Sequence, residues 1–317
     1  MKIYNQTYKG FDAYHLENES LKMIVLPDIG GKIASLLYKP QNFEVFFQPT
    51  EETYKLPEYG GDFSHYDTSG ADEMFPTIDT CIYPYAGHEG KLPDHGELWS
   101  LPWLVTKADD SLQMVREGRV LPYLFSRVIV LDGKTVHLKY KVKNTGDQPL
   151  FGLWAFHGLV ACDEKTILNI PNCENIVTVH NSNILGKMGT KHSFPLTIGK
   201  NDQEYCLDHI APQYCGKTEK FYVEGAVKQG EAALTLNQGK LVYKLSFPLH
   251  TVPYLGIWIN EGGFKGEYNC ALEPSTGYYD SLEIAKQYNS VSPLAPGQTM
   301  EWYLDIELAD DLLTKKI

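Results

Sequence analysis

Four short segments combine titratable side chains with the glycines and aromatic residues that a polar small-molecule site needs. The first, Asp94-His95-Gly96-Glu97-Leu98-Trp99-Ser100-Leu101-Pro102-Trp103, sets a histidine and a carboxylate on either side of a glycine beside two tryptophans. Indole faces stack on the apolar C–H faces of sugar rings, while His95 and Glu97 can bond hydroxyls. A histidine bonded to backbone at a strand end fits the same residues. A zinc-deaminase reading of His95-Gly96-Glu97 requires a later Pro-Cys-x-x-Cys, and the chain has none. No metal site is expected. The second segment, residues 151–160, places His157 in an otherwise apolar run. A buried imidazole costs free energy unless it is bonded, so His157 either has a partner in the core or faces a ligand. Gly158 directly after it would let a ligand approach the backbone.

In the third segment Glu273 closes the apolar run Cys270-Ala271-Leu272, and Pro274 is expected to end the strand ladder and aim the carboxylate at a cleft. An exposed turn glutamate is the alternative. The fourth is Gly70-Ala71-Asp72-Glu73-Met74-Phe75-Pro76. Neighbouring residues of an extended segment point opposite ways, so at most one of Asp72 and Glu73 faces any one site. Trp258, in Leu255-Gly256-Ile257-Trp258-Ile259, offers either another stacking face or a core indole.

The elements that must hold these groups are strands. Period-two alternation is clearest in Thr135-Val136-His137-Leu138-Lys139-Tyr140-Lys141-Val142-Lys143, where Val136, Leu138, Tyr140 and Val142 face one way. Similar strands are expected at 21–26, 125–131, 232–236, 241–247, 254–259 and 302–308. Helical pattern is confined to 281–288 and a terminal stretch at 309–316. The expected fold class is all-β, twisted antiparallel sheets packed face to face, in a single domain over 1–317. Two polar stretches, 59–95 and 180–220, read as long loops, the usual bearers of binding residues on a rigid β scaffold.

Composition narrows the ligand. The 28 Lys and Arg against 40 Asp and Glu give a net charge of −12, which repels nucleic-acid backbones and anionic membranes. Arginine occurs only at Arg116, Arg119 and Arg127, few for clamping a phosphorylated substrate, so a neutral ligand is favoured. The start of the chain lacks the features of a secretory signal, and no apolar run is long enough to cross a bilayer, so the cytoplasm is expected. The 6 cysteines, without a C-x-x-C pair, are expected to be reduced and mostly buried.

In order and spacing these segments resemble the galactose mutarotase-like superfamily, the aldose 1-epimerases. The likeness rests on His95-Gly96-Glu97-Leu98-Trp99, His157 in its aromatic strand, Glu273-Pro274, the early Pro27-Asp28-Ile29-Gly30-Gly31-Lys32-Ile33 turn and the late Leu294-Ala295-Pro296-Gly297-Gln298. It spans most of the chain. It implies a β-supersandwich and acid/base opening of a neutral aldose ring, with Glu273 as base, His157 as acid and His95 as second histidine. Trp99 would line the pocket, and Asp208 is the best-placed candidate for the family's hydroxyl-binding aspartate. The chemistry requires neither metal nor nucleotide cofactor. One departure matters: an arginine-containing family segment is replaced by the acids at Asp72 and Glu73, which implies a different choice of sugar and a part for these acids in hydroxyl recognition. Two other functions use the same residues. A noncatalytic sugar-binding module would keep the tryptophans and tolerate loss of Glu273, and a glycoside hydrolase would pair Glu97 with Glu273 across a glycosidic bond.

Overall fold

The computed structural model describes residues 1–310. Antiparallel strands dominate. The larger of two main sheets has 13 strands, and its central run is Lys32–Tyr38, Ala71–Met74, Ala155–Gly158, Tyr268–Ser275, Tyr254–Glu261 and Lys217–Val223. The smaller, of 8 strands, centres on Thr299–Asp310, Thr135–Asn144 and Tyr123–Asp132. Val136, Leu138, Tyr140 and Val142 are all buried, as the alternation predicts. One continuous apolar cluster draws on both sheets, with Phe221, Leu255, Ile257 and Leu272 from the larger and Phe125, Leu138, Leu245 and Leu304 from the smaller.

The same alternation frees the other face of the larger sheet for chemistry. Lys220 pairs across to Trp258, Trp258 to Ala271, and Gly256 to Glu273. These residues alternate with the core residues just named, so all lie on the face turned away from the smaller sheet. His157 pairs with Asp72, while Phe156, a core residue, pairs with Glu73. One strand, Ala71–Met74, therefore sends Asp72 to the outer face and Glu73 to the core.

Several elements differ from expectation, each for a physical reason. The 59–95 stretch is not one loop, because Ala71–Met74 crosses the middle of the larger sheet and is buried throughout. Its acids look solvated in sequence but meet buried cations from other strands: Lys32 Nζ reaches Asp72 Oδ2 at 2.5 Å and Arg127 Nη1 reaches Glu73 Oε1 at 2.9 Å. The 180–220 stretch likewise carries short strands at Lys191–Ser193, Leu196–Ile198 and Glu204–Cys206. Pro274 does not end its ladder. It pairs with Leu255, and the strand runs on to Ser275. Beside Gly158 the Phe156 ring lies 2.5 Å from where a Cβ would sit, so the missing side chain makes room for that ring.

The helix expected at 281–288 forms over Leu282–Gln287, capped by the Ser281 hydroxyl. Of the terminal helix, Ala309 and Asp310 instead finish a strand that pairs with Val242 and Leu241, and the remainder lies outside the described residues. All six cysteines are free thiols, but only Cys81 and Cys270 are fully buried and Cys206 is exposed. Among the described residues no helix is long and apolar enough to cross a membrane.

Candidate active site

Three strands of the larger sheet supply the central cluster. His157 Nδ1 lies 3.1 Å from Glu273 Oε1, and Lys220 Nζ donates to Glu273 Oε2. The Lys220 side chain starts on Lys217–Val223 and must cross the intervening strand to reach Glu273. Strands lie about 4.7–4.9 Å apart, so a lysine can span the gap only over small residues. On that strand Gly256, the partner of both Tyr222 and Glu273, has no side chain. A Cβ at Gly256 would also press within 3.1 Å of the Tyr222 ring.

Glu273 is fully buried, the Lys220 side chain is 7% exposed and that of His157 is 9% exposed. Burial works to raise the Glu273 pKa, but the Lys220 ammonium and His157 outweigh it and hold the carboxyl at about 2. For His157 burial dominates and lowers the pKa despite Glu273, which favours the neutral imidazole. Burial also opposes the charge on Lys220, yet Asp280 and Glu273 raise its pKa above the ordinary lysine value. With Glu273 ionised and His157 neutral, Nδ1 must be the protonated nitrogen, donating to the carboxylate. Nε2 is left as an acceptor.

That imidazole and the Lys220 ammonium line a cavity of about 170 Å³ that also takes His95, Trp258, Phe63 and Asp280 into its wall. His95 is held beside His157 by Phe63 and Asp94. Its ring stacks on Phe63 at 4.0 Å and lies 5.6 Å from His157, centroid to centroid. The Asp94 carboxylate pairs with His95 Nδ1 at 3.0 Å and also accepts from Phe63 N. Backbone shape fixes the rest: His95 and Gly96 both have positive φ, of 56° and 72°. At Gly96 a Cβ would fall 2.3 Å from the Phe75 carbonyl oxygen, so only glycine allows this approach.

On the far wall His180 Nε2 lies 3.4 Å from Asp280 Oδ2, and Asp280 Oδ1 accepts from the Tyr222 hydroxyl at 3.1 Å. The hydrogen bond to Asp280 raises the His180 pKa, while burial and the Asp280 charge raise that of Asp79. Ligand atoms of Asp79, His180 and Asp280 lie within 4.8 Å of one another, close enough to share a cation; Cys206, Asp208 and His209 form a similar group at the surface.

The sequence candidates thus divide. His157, Glu273, His95 and Trp258 come together. Asp72 sits in the strand beside His157 but outside the cavity wall, its carboxylate taken by Lys32. Glu73 points into the core, bonded to Arg127, Tyr140 and Trp154. Glu97 turns away from the cavity: its carboxylate accepts from the hydroxyls of Tyr59 and Tyr123 and from the backbone of Arg119 and Val120. The Glu97–Glu273 pair that a glycoside hydrolase would use is therefore not assembled. Trp99 is buried behind Phe63, its Nε1 donating to the Asp94 carbonyl, and Asp208 joins the surface group with Cys206 and His209. Lys220, Asp79, His180 and Asp280 were not among the candidates. The signal used for His157, one polar residue beside an apolar run, also marks Lys220 before Phe221-Tyr222-Val223.

No protein-family model matches the chain, and no curated protein does. Solved structures do. The Slr1438 protein of Synechocystis aligns over 97% of this chain and 100% of its own, with TM-score 0.74 and 17% identity. A galactose mutarotase-like protein from Lactobacillus casei aligns over 94% of this chain and 100% of its own, with TM-score 0.70 and 17% identity. A galactose mutarotase related enzyme from Lactobacillus acidophilus aligns over 94% and 97%, with TM-score 0.68 and 14% identity. The chain has the galactose mutarotase-like fold, a β-sandwich of large antiparallel sheets.

Proposed function

We propose that this protein is a carbohydrate isomerase that interconverts the α and β anomers of a neutral aldose by opening and reclosing its ring. The observation that carries the reading is the contact between His157 and Glu273 at a cavity shared with His95 and Trp258. Ring opening removes a proton from the anomeric O1 hydroxyl and delivers one to the ring oxygen as the C1–O5 bond breaks. The aldehyde then turns about C1–C2, and the reverse transfers close the other anomer. Each positioned acid or base contributes about 10²–10⁴-fold.

The resemblance implies Glu273 as base and His157 as acid. Burial of Glu273 behind the imidazole and the lysine favours a different division. His157 Nε2 takes the O1 proton, and Glu273 orients the ring and stabilises the imidazolium that forms. Lys220, with an ammonium in the cavity wall, and His95 are the groups placed to donate to O5. Trp258 offers a face for the sugar ring.

NMR exchange spectroscopy of anomeric protons over a panel of free aldoses tests the reading. Exchange faster than the spontaneous rate, lost in Glu273→Gln and His157→Asn proteins that still fold, is expected. Saturation transfer from the protein to sugars with no accelerated exchange would instead establish a noncatalytic binding protein.

A further inference from the structure

Two groups of side chains hold metal-ligating atoms close enough to share a cation, and their surroundings separate them. At Asp79, His180 and Asp280 the Lys220 ammonium stands 3.9 Å from Asp280 Oδ1, so a positive charge is in place and a second would be repelled. At Cys206, Asp208 and His209 the carboxylate pairs, among the described residues, with His209 and with no lysine or arginine. The backbone fixes this second group. Strand Glu204–Cys206 ends at the cysteine, and the turn that follows is anchored by Leu207 and Ile210, both buried in the core. Leu207 N donates to the Pro195 carbonyl at 2.8 Å, Leu168 N donates to the Asp208 carbonyl at 2.7 Å, and His209 bridges to Ile167. With its apolar residues held inward, the turn gathers the side chains at 206, 208 and 209.

Their three ligating atoms form a compact triangle. Cys206 Sγ lies 2.9 Å from Asp208 Oδ1 and 3.4 Å from His209 Nδ1, and the last two atoms are 2.8 Å apart. A tetrahedral zinc ion, with bonds of about 2.0–2.3 Å, holds neighbouring ligand atoms about 3.3–3.6 Å apart. The sulfur–nitrogen edge fits. The two edges to Asp208 Oδ1 are shorter because hydrogen bonding draws the thiol and the imidazole to that oxygen, and rotation of the exposed Cys206 and His209 side chains opens them. A thiolate with an imidazole favours zinc over magnesium or calcium, which take oxygen ligands. Of the six cysteines Cys206 alone is exposed, so an ion can reach it.

The surrounding charge agrees. Cys206 and His209 line a cavity of about 370 Å³ whose acids, Glu204, Glu219 and Glu261, outnumber its one lysine, Lys217. Glu219 is 9% exposed, and its Oε2 has no hydrogen-bond partner among the described residues. Such a wall attracts a cation. The cavity shares no lining residue with that at His157, and Glu219 and Lys220, neighbours in one strand, point to opposite faces of the larger sheet.

We infer that Cys206, Asp208 and His209 form a zinc site with three protein ligands and a fourth position open to water, separate from the cavity at His157 and independent of the reaction proposed there. On binding, the thiol proton passes to solvent, the Asp208 carboxylate supplies an oxygen, and His209 binds through the Nδ1 lone pair with its proton on Nε2.

The experiment titrates the chelator-treated full chain with Co²⁺ and then with Zn²⁺, alongside Cys206→Ser and His209→Ala. The expected result is a single Co²⁺ per chain with a thiolate-to-metal charge-transfer band, displaced by an equal amount of Zn²⁺. Cys206→Ser should abolish the band. His209→Ala should weaken zinc by at least the roughly 10–100-fold that loss of a supporting residue costs. Zinc should also raise the thermal unfolding midpoint of the unsubstituted chain and leave that of Cys206→Ser where it is. Both side chains are exposed, so the variants are expected to fold, which circular dichroism checks. An unsubstituted chain that takes up no Co²⁺ with a thiolate band would overturn the site. So would a band and a zinc affinity that survive both substitutions, which would mark adventitious metal only.

Discussion

The two faces of the larger sheet each hold a fully buried glutamate beside a buried cation, and they put it to different use. On the core face Glu73 is closed on every side. Arg127 Nη1 at 2.9 Å, Tyr140 Oη at 2.8 Å and Trp154 Nε1 at 2.7 Å occupy its two oxygens, and none of these residues lines the His157 cavity. On the outer face Glu273 is held by Lys220 and His157, and both of these line the cavity. Burial pushes the Glu73 pKa up against the pull of Arg127, while at Glu273 the ammonium and imidazole win and the pKa falls. A buried ion pair is thus no mark of function by itself. What distinguishes the second is that both of its partners line the cavity.

Exchanging the two carboxylates for amides tests this contrast most severely. Glu273→Gln is expected to lower anomer exchange by about 10²–10⁴-fold. Glu73→Gln leaves Arg127 without its counter-charge in the core, and a loss of about 3–5 kcal/mol in urea unfolding is expected. Catalytic loss with intact stability in Glu73→Gln would break the contrast.

Lys220→Met comes next, because it separates two uses of the ammonium. With Lys220 placed to donate to the ring oxygen, exchange should slow in this variant; faster exchange would mean that the ammonium only masks a carboxylate base. Without the ammonium, burial also raises the Glu273 pKa, which carbon-13 NMR of the side-chain carboxyl can follow. The sign for stability is set by the depressed value. The native carboxyl, at about 2 against an ordinary 4.5, contributes stability above pH 4.5 that is lost as the pH falls toward 2. In Lys220→Met that window should vanish from acid unfolding curves.

The smallest effect belongs to Tyr140→Phe. It removes one hydrogen bond from the Glu73 carboxylate and should cost about 1.5–3 kcal/mol of stability, with no change in the rate per folded molecule. A change in that rate would mean that the core cluster communicates with the cavity.

Much of this arrangement was readable in the chain. Period-two alternation located the strands at 125–131, 135–143 and 302–308 because one face of each is core and the other is wet. His157 stood out because an imidazole in an apolar run needs a partner. Asp72 and Glu73 were misplaced in a loop because their cations, Lys32 and Arg127, lie 40 and 54 residues away along the chain. Charge compensation across a sheet leaves no local trace. Glu97 and Trp99 share a motif with His95, yet Gly96 reverses the chain between them, so one side of the motif enters the cavity and the other is packed against Tyr59, Tyr123 and Phe63. Lys220 was missed because it opens an apolar run at the end of a polar one, where a lysine reads as solvated.

If His157, Glu273 and Lys220 act as proposed, the length of chain between them sets when activity can appear. His157 and Glu273 are separated by 116 residues, and Lys220 and Glu273 by 53. Contacts of such range are slow to close and form only when the intervening sheet has assembled. A nascent or partly folded chain would therefore be chemically silent, and the first appearance of anomer exchange during refolding would time the closure of the larger sheet.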